Sequence, residues 1–319
     1  MAAMNVSVRL AVKTDLSAVW EMSEDIHAGL DTLPHSFLQM LDDPQHTVLV
    51  AVKDGKAVGL RAVLIVDDGE TAIFRGLRVH MAYRGRGIAK ELMKVSEGYV
   101  KQHFPRVQVI RYSVTSQNKS RLALQMKCND RMILKLALCA CVVEPSRKTD
   151  SVLQRYSTAT SSTRAKELNI NNINIFLKQN KLDDVLFNSS FFVNFVSFRA
   201  IESNISNGLI DDKHNFFASS TDNTVESLSQ SCRIVAVKFP KWCVTLYKMD
   251  ENLLEIHLIK HLKKAILRDS EEKFAFICVF HVSLVKHVSK FLLHELALKN
   301  IDDFCSEGNL FVSVFEKDL

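Results

Sequence analysis

Residues 83–89, with the sequence YRGRGIA, have the clearest chemical content in the chain. Two glycines alternate with two arginines directly before a helical pattern. A glycine-rich turn that opens a helix directs several backbone N–H groups at one compact anion, and the helix N-terminus adds positive partial charge. The glycines also permit close approach and a positive φ. The predicted phosphate site consists of Arg84, Gly85, Arg86, Gly87, Ile88 and Ala89.

The setting of this loop excludes two common phosphate motifs. It follows an antiparallel meander, whereas a dinucleotide fingerprint needs G-x-G-x-x-G after the first strand of a parallel βαβ unit. No G-K-[ST] follows, which excludes a P-loop. The alternative without a ligand is a glycine-bearing turn that only joins a strand to a helix.

The elements around the loop follow from local patterns. Asp54-Gly55 between β-branched runs predicts a hairpin over residues 47–66. Apolar residues at i, i+4, i+7 and i+11 predict one face of a helix from 88 to about 103. These residues are Ile88, Leu92, Val95 and Tyr99. With a strand over 71–79 before the loop and another over 107–114 after the helix, the pattern predicts a mixed α/β sheet that buries the helix.

The chain is predicted to have three parts. Residues 1–145 form the first α/β domain, and residues 146–230 form a Ser/Asn-rich linker or insertion. Residues 231–319 form a second α/β unit. Its predicted strands cover 233–239, 242–247, 274–282 and 310–315, and its helices lie around 253–262 and 291–298.

Composition limits the function classes. The chain has 319 residues, of which 47% are hydrophobic and 24% are charged, with a net charge of +5. This charge is too small and too evenly spread to indicate nucleic-acid binding, but it suits an anionic small molecule. The most hydrophobic segment, residues 132–143, is too short for a membrane span and contains Lys135.

The cysteines indicate a reducing compartment. The chain has seven of them, an odd number, and no C-x-x-C motif. Reduced, buried thiols in a cytoplasmic protein are therefore expected. His257 and His261 stand at i, i+4 without a H-E-x-x-H pattern, so we expect them on a helix surface and predict no metal site.

R-G-R-G-I-A after a meander and before an amphipathic helix resembles motif A of the GNAT superfamily of acyl-CoA-dependent N-acetyltransferases, with its signature Q/R-x-x-G-x-G/A. The resemblance implies a mixed α/β GNAT-like fold, with the C-terminal unit a degenerate second copy. It implies acetyl-CoA as co-substrate, with its pyrophosphate on the loop amides and its pantetheine arm along the preceding strand. The cofactor-binding residues it implies are Leu77, Val79, Arg84, Gly85, Arg86, Gly87, Ile88, Ala89 and Asn118.

A narrower resemblance concerns the acceptor. HAGLDTLP (27–34), VDDGETAIFRGLRV (66–79) and YRGRGIAKELM (83–93) are similar to the histidine N-acetyltransferase group of vertebrates. The similarity covers residues 6–136 well and 232–319 loosely. It implies acetyl transfer to the amine of a free amino acid, with histidine favoured. Thr32 stands where members of that group tend to have tyrosine.

The catalytic residues depart from the family pattern. The histidine-acetylating group has a glutamate where this chain has Arg75, and an arginine cannot act as a base at neutral pH. Strand alternation predicts Ile73, Arg75 and Leu77 on one face, so Arg75 either holds a substrate carboxylate or marks a weakened site. Glu70 is the nearest acid and a candidate base. Tyr112 is a candidate acid, because residues 121–126 lack the tyrosine common in the family. A backbone N–H near Leu77 is the expected donor to the developing oxyanion.

Three functions remain open at this point. The first is an N-acetyltransferase for a small-molecule amine. The second is a non-catalytic acyl-CoA-binding module that kept the loop and lost the base. The third is a protein N-terminal or lysine acetyltransferase in which the second unit forms a peptide groove. The sequence does not indicate an oligomeric state.

Overall fold

The computed structural model describes residues 6–24, 26–118, 130–145, 164–221, 224–301 and 310–319. Residues 121–126 and the first part of the predicted linker, 146–163, lie outside this description. None of the helices within it is long and apolar enough to cross a bilayer.

The first half of the chain has the predicted element order. The φ values of Asp54 and Gly55 are 50° and 78°, the left-handed pair that a two-residue hairpin turn requires, so the predicted hairpin is confirmed. The elements are β1 (Ser7–Leu10), α1 (Leu16–Ser23), α2 (Leu33–Asp42), β2 (His46–Lys53), β3 (Lys56–Val66), β4 (Thr71–Val79), α3 (Ile88–His103), β5 (Val109–Thr115) and β6 (Arg131–Val143).

The second half repeats much of this order and starts earlier than the sequence predicted. Its elements are β7 (Lys166–Leu168), α4 (Ile170–Lys178), β8 (Ser190–Val193), β9 (Val196–Arg199), α5 (Glu202–Ser206), β10 (His214–Thr221), β11 (Thr224–Ile234), β12 (Lys241–Leu246), α6 (Glu251–Arg268), β13 (Phe274–His281), α7 (Val285–Ser289), a π-helical turn (Lys290–Glu295), β14 (Lys299–Asn300) and β15 (Leu310–Asp318). The described part of the predicted linker, from residue 164, therefore consists largely of regular structure. The predicted strand over 233–239 is wrong beyond Ile234, where β11 ends.

One sheet runs through both halves. Its strand order is β1-β2-β3-β4-β5-β15-β6-β13-β12-β11-β10-β7, with β14 also paired to β6. The pairs β4·β5 and β12·β13 are parallel, and α3 and α6 make the two crossovers. The mixed α/β fold with two similar units, as predicted, is confirmed. The last strand of the chain, β15, lies between β5 and β6.

Helix α3 packs on the sheet with a face slightly different from the predicted one. Ile88 and Leu92 are buried as expected. Ser96 and Val100 complete the buried face in place of Val95. The Ser96 hydroxyl donates to the carbonyl of Leu92, which allows a polar residue to occupy this position.

The two histidines of α6 are buried, so the predicted surface location is wrong. The His257 ring contacts the hydroxyls of Ser219, Ser227 and Ser229 at 2.7–3.1 Å. His261 contacts Ser229 at 2.7 Å and Ser231 at 2.8 Å. Serines at 227, 229 and 231 alternate along β11 and therefore all face α6. Ser219, Ser227 and Ser229, from the described part of the predicted linker, thus belong to a buried polar network with α6.

Burial fixes the protonation state of this pair. Desolvation and the nearby Lys260 lower the pKa of His257 to about 4. Desolvation and His257 lower the pKa of His261 well below its ordinary value. Both rings are neutral at pH 7, and the described residues contain no cluster suited to a metal ion.

Charged groups fasten β15 to its neighbour β5. The guanidinium of Arg111 donates to Glu316 on β15 at 2.7 Å and to the carbonyl of Ser197 at 3.0 Å. Arg131 also bonds Glu316, at 2.5 Å. Burial opposes ionisation of Glu316, but the hydrogen bonds of the two arginines outweigh it, so its pKa is lowered.

Glu316→Gln is expected to lower the free energy of unfolding by about 1.5–3 kcal/mol, because the buried Arg111 loses its charged acceptor. Urea unfolding at pH 7 measures this loss. Lys317→Gln is the matched control: its partly exposed ammonium pairs with Glu97 at 2.7 Å, and such a pair contributes about 0–1 kcal/mol. Equal losses in the two variants would contradict the structural role of Glu316.

The buried histidines predict acid sensitivity. Because the folded-state pKa of His257 is below its ordinary 6.5, the unfolded chain binds more protons, and stability is lost as pH falls from 6.5 toward 4. From pH 7 to pH 5 the His257 contribution falls by about 2 kcal/mol. Urea unfolding at both pH values should show a smaller drop in His257→Gln than in the wild type. The exposed His103→Gln is the control, and an unchanged drop in His257→Gln would refute the assignment.

Candidate active site

A cavity opens where β4 and β5 separate. The two strands pair only from Thr71–Ile73 to Val109–Arg111 and then diverge. The resulting cavity has a volume of about 280 Å³, the scale of a small metabolite. Its walls come from β4, β5, the loop between α1 and α2, the β8–β9 turn and the start of β12.

Strand β4 carries a bulge beside the cavity. Ala62 pairs with Arg75 and Leu60 with Arg78, so β4 has one more residue than β3 between these pairs. Gly76 adopts a φ of 66°, which favours glycine. A bulge leaves its extra residue outside the ladder, so backbone groups at 76–77 border the cavity without a strand partner. This is the position expected for the oxyanion donor.

The bulge corrects the predicted strand faces. Ile73 packs in a hydrophobic cluster made largely of residues from the second unit. Leu77 instead packs with Ile88 and Leu92 of α3 on the opposite side. The expectation that Ile73, Arg75 and Leu77 share one face is therefore wrong, because the extra residue reverses the alternation after Gly76.

The Gly-rich loop has the geometry of an anion cradle. Gly85 and Gly87 adopt φ values of 74° and 84°, and Gly87 is the N-cap of α3 without a capping side chain. Among the described residues, no heavy atom apart from those of each glycine and its chain neighbours lies within 4 Å of where a Cβ would stand. Within the described chain, the amides of residues 85–90 donate no hydrogen bond. These N–H groups therefore face open space at a helix N-terminus, which is the arrangement that binds phosphate.

The two arginine side chains of the loop make different contacts. Arg84 donates through Nε to the carbonyl of Val79 at 3.1 Å. This bond engages the backbone group of Val79 that was predicted to contact pantetheine. Arg86 lies over the ring of Tyr83 at 5.9 Å and is exposed.

The corresponding loop of the second unit lacks this geometry. Residues 247–250, between β12 and α6, contain no glycine. The carboxylate of Asp250 caps α6 by accepting from the amide of Asn252 at 2.7 Å. A carboxylate at this position repels a phosphate and occupies an amide that would bind it. The described structure therefore offers its anion cradle in the first unit.

Arg75 lines the cavity and makes no hydrogen bond or ion pair with the described residues. Burial, together with the neighbouring charge of Arg78, lowers the pKa of Arg75. An arginine remains protonated at neutral pH even so. The cavity therefore contains a guanidinium without a counter-ion from the described chain.

Arg78 is already paired. Its Nη2 and Nε donate to the two oxygens of Asp31 at 2.9 and 3.1 Å. Asp31 also accepts from the amide of Leu33 at the start of α2. Burial opposes ionisation of Asp31, but the charge and hydrogen bonds of Arg78 outweigh it and lower its pKa. Asp31 is the carboxylate among the described residues that line the cavity, and it is engaged.

His27 lines the cavity from the loop between α1 and α2. His27 and Ala28 have φ values of 53° and 56°, an uncommon conformation for these residues. Desolvation, Arg78 and Lys241 lower the pKa of His27 to about 4, although the residue keeps an exposed edge. The sequence did not predict His27 as a lining residue, because the motif HAGLDTLP contains no signal for this backbone conformation.

The other predicted residues divide into two groups. Tyr112 and Asn118 line the cavity, and the Tyr112 hydroxyl donates to the carboxylate of Asp130. Glu70 lies outside it and pairs with Arg199 at 2.7 Å. Because Glu70 precedes the paired section of β4, it sits at the end of the strand away from the divergence. The geometry does not support Glu70 as the base.

The second unit supplies one wall of the cavity. The β8–β9 turn, Asn194-Phe195, has φ values of 46° and 66° and lines the cavity. The Ser113 hydroxyl on β5 donates to the carbonyl of Phe195 at 2.7 Å and holds this turn in place. Lys241 of β12 lines the same wall with 7% of its surface exposed. Neither was predicted as part of the site, because the sequence of a short hairpin or strand does not indicate which distant strands it will contact.

Comparison with known proteins agrees with this architecture. Residues 14–128 match the family model "Acetyltransferase (GNAT) family". A histidine N-acetyltransferase of Oreochromis niloticus is 29% identical over 62% of this chain and 60% of its own length. That of Xenopus tropicalis is 38% identical over 32% of this chain and 32% of its own length. The chain thus spans between a third and three fifths of these relatives.

Solved structures extend the likeness to the whole chain. A tandem GNAT protein from the clavulanic acid biosynthesis pathway has a TM-score of 0.58, 10% identity and 98% coverage of both chains. A GCN5-related N-acetyltransferase from Sphaerobacter thermophilus has a TM-score of 0.57 at 11% identity, covering 100% of this chain and 97% of its own. The predicted resemblance is confirmed over residues 14–128, which match the GNAT family model, and the chain as a whole has the fold of a tandem GNAT protein.

Proposed function

We propose that this chain transfers an acetyl group from acetyl-CoA to the amine of a free amino acid. The observation that carries the proposal is Arg75, a guanidinium without a described partner, placed in a small cavity beside the β4 bulge. A guanidinium binds a carboxylate with two parallel hydrogen bonds, so Arg75 suits the α-carboxylate of the acceptor. The names of the relatives favour histidine as the first acceptor to test.

The residues present fit acetyl-CoA. The amides of residues 85–90 and the open space around Gly85 and Gly87 suit a pyrophosphate. When bound, acetyl-CoA supplies an activated acetyl thioester. Leu77 and Asn118 line the acceptor cavity, and β4 leads from this cavity to the segment that carries the cradle, so the pantetheine arm is proposed to pass along the end of β4.

The reaction exchanges one bond at the acetyl carbon for another and moves one proton from the amine to the sulfur. The acceptor nitrogen forms a bond to the acetyl carbonyl carbon, the carbon–sulfur bond breaks, and the thiolate sulfur takes up one proton. Backbone N–H groups at the bulge stabilise the oxygen on which negative charge develops. Holding the amine beside the thioester lowers the barrier, because the entropy cost of bringing the two together is met on binding. In well-oriented pairs this effect reaches about 7–11 kcal/mol.

Proton transfer falls to His27 and Tyr112. His27 lines the cavity with a neutral imidazole and is the candidate acceptor for the proton that the amine loses, but a pKa of about 4 makes it a weak base. Tyr112 is the candidate proton donor for the leaving sulfur, which requires its hydroxyl to turn from the Asp130 carboxylate to which it donates. The predicted cytoplasmic location, and the absence of a nucleic-acid partner, stay predictions.

A second candidate function is a non-catalytic acyl-CoA-binding module. The observation in its favour is that Asp31, the carboxylate among the described lining residues, is held by Arg78. Tight CoA binding without turnover, unrepaired by Arg75→Glu, would select this candidate. Acetylation of peptides but not of free amino acids would instead select a protein acetyltransferase, although the Asn194-Phe195 turn closes one side of the cavity.

Arg75→Met is expected to remove the preference for acceptors with a carboxylate. Wild-type kcat/KM should be about tenfold to a hundredfold higher for histidine than for histamine, which corresponds to about 1.5–3 kcal/mol for a charged hydrogen bond. In Arg75→Met this ratio should approach one. Exposed Arg106→Met is the control. Release of CoA with none of the free amino acids, in a wild-type protein that binds CoA, would overturn the proposal.

Gly87→Ala is expected to weaken CoA binding about tenfold in a calorimetric titration. An alanine at a φ of 84° costs about 1–2 kcal/mol, and relief of this strain turns the amides away from the cradle. Gly208→Ala is the matched control, because Gly208 has a φ of 80° and open space but lies in the second unit. Equal CoA affinity in the two variants would argue against the cradle.

A further inference from the structure

The acceptor cavity has more cationic groups than the α-carboxylate of one amino acid can satisfy. Its described lining contains four basic side chains and one carboxylate. The carboxylate, Asp31, is committed to Arg78. The remaining basic groups are Arg61, which lies over the ring of Phe74 at 4.5 Å, Arg75 and Lys241.

Lys241 is the unusual member of this set. It is a strand residue of the second unit with only 7% of its surface exposed, yet it makes no hydrogen bond or ion pair with the described residues. Its ammonium lies 5.9 Å from the centre of the Phe195 ring, a cation–π contact. Because the side chain is mostly buried and lines the cavity without a counter-ion among the described residues, an anion bound in the cavity is its expected partner.

The two cations reach the cavity from opposite units. Arg75 comes from β4 of the first unit and Lys241 from β12 of the second, and both line the same 280 Å³ space. Lys241 and Arg78 both lower the pKa of the cavity residue His27, and Arg78 also lowers the pKa of Arg75, so these cations act on the same cavity. A ligand that fills this space meets a cation on each side.

We infer that the acceptor is an amine with two anionic groups, such as an acidic amino acid, whose α-carboxylate binds Arg75 and whose side-chain anion binds Lys241. This inference rests on the proposed function and specifies the substrate class of the same site. An acceptor with a single carboxylate can pair with Arg75 or with Lys241 but not with both, so it binds with one ion pair fewer. A second carboxylate and a phosphate share the required chemistry.

Pairs of acceptors that differ in one charge test the inference. With the full chain and acetyl-CoA, kcat/KM is measured for glutamate and glutamine, aspartate and asparagine, phosphoserine and serine, and histidine. We expect each anionic member to exceed its neutral counterpart at least tenfold. A preference confined to phosphoserine assigns the second anion as a phosphate, and a preference for glutamate or aspartate assigns a carboxylate.

Lys241→Met then isolates the side chain. The ratio of kcat/KM for the preferred anionic acceptor to that for its neutral counterpart should fall at least tenfold, while exposed Lys238→Met keeps the wild-type ratio. An equal loss for charged and neutral acceptors would mean a structural role and overturn the inference. If Lys241→Met does not fold, the wild-type ratios alone decide.

Failure of the inference and failure of the proposed function give different results. Turnover of histidine or glutamine at least as fast as that of every anionic acceptor overturns the inference and keeps the amino acid acetyltransferase. No CoA release with any acceptor removes both.

Discussion

The position of β15 determines how the rest of the molecule is built. The last strand pairs with β5 through Val312–Asp318 and with β6 through Leu310–Glu316, so it joins the first unit to a sheet that continues into the second. Arg111 and Glu316 fasten it with a buried ion pair. Val312 of this strand lines the acceptor cavity, and Phe315 stacks on Tyr112 at 5.8 Å. The site of the first unit is therefore complete only when the C-terminus of the chain is in place.

The two units contribute different features to the structure. The first keeps a glycine-rich anion cradle at the start of α3, whereas Asp250 closes the corresponding helix terminus of the second. The second unit instead contributes the Asn194-Phe195 turn and Lys241 to the cavity of the first. The lining and the charge of the cavity therefore depend on both halves of the chain.

Local features of the site were predictable from sequence because they depend on few neighbouring residues. Asp54-Gly55 predicted a hairpin, and the Gly-rich loop with the following apolar period predicted the cradle and α3. Arg75 was identified from its departure from a family pattern. The fold class followed from the order of these elements. The pairing of Glu70 with Arg199 could not be predicted from the sequence, because the two residues are 129 positions apart.

The sequence by itself determined the turns, the apolar periodicity of the helices and the chemistry of the Gly-rich loop, since each is encoded within a short run of residues. Only the tertiary structure decided the strand that completes the first unit, the reversal of alternation at Gly76, and the burial of His257 and His261 among serines. It also decided that Arg75 and Lys241 share one cavity. These features depend on pairings between distant segments, and neither composition nor periodicity carries the register of a long-range contact.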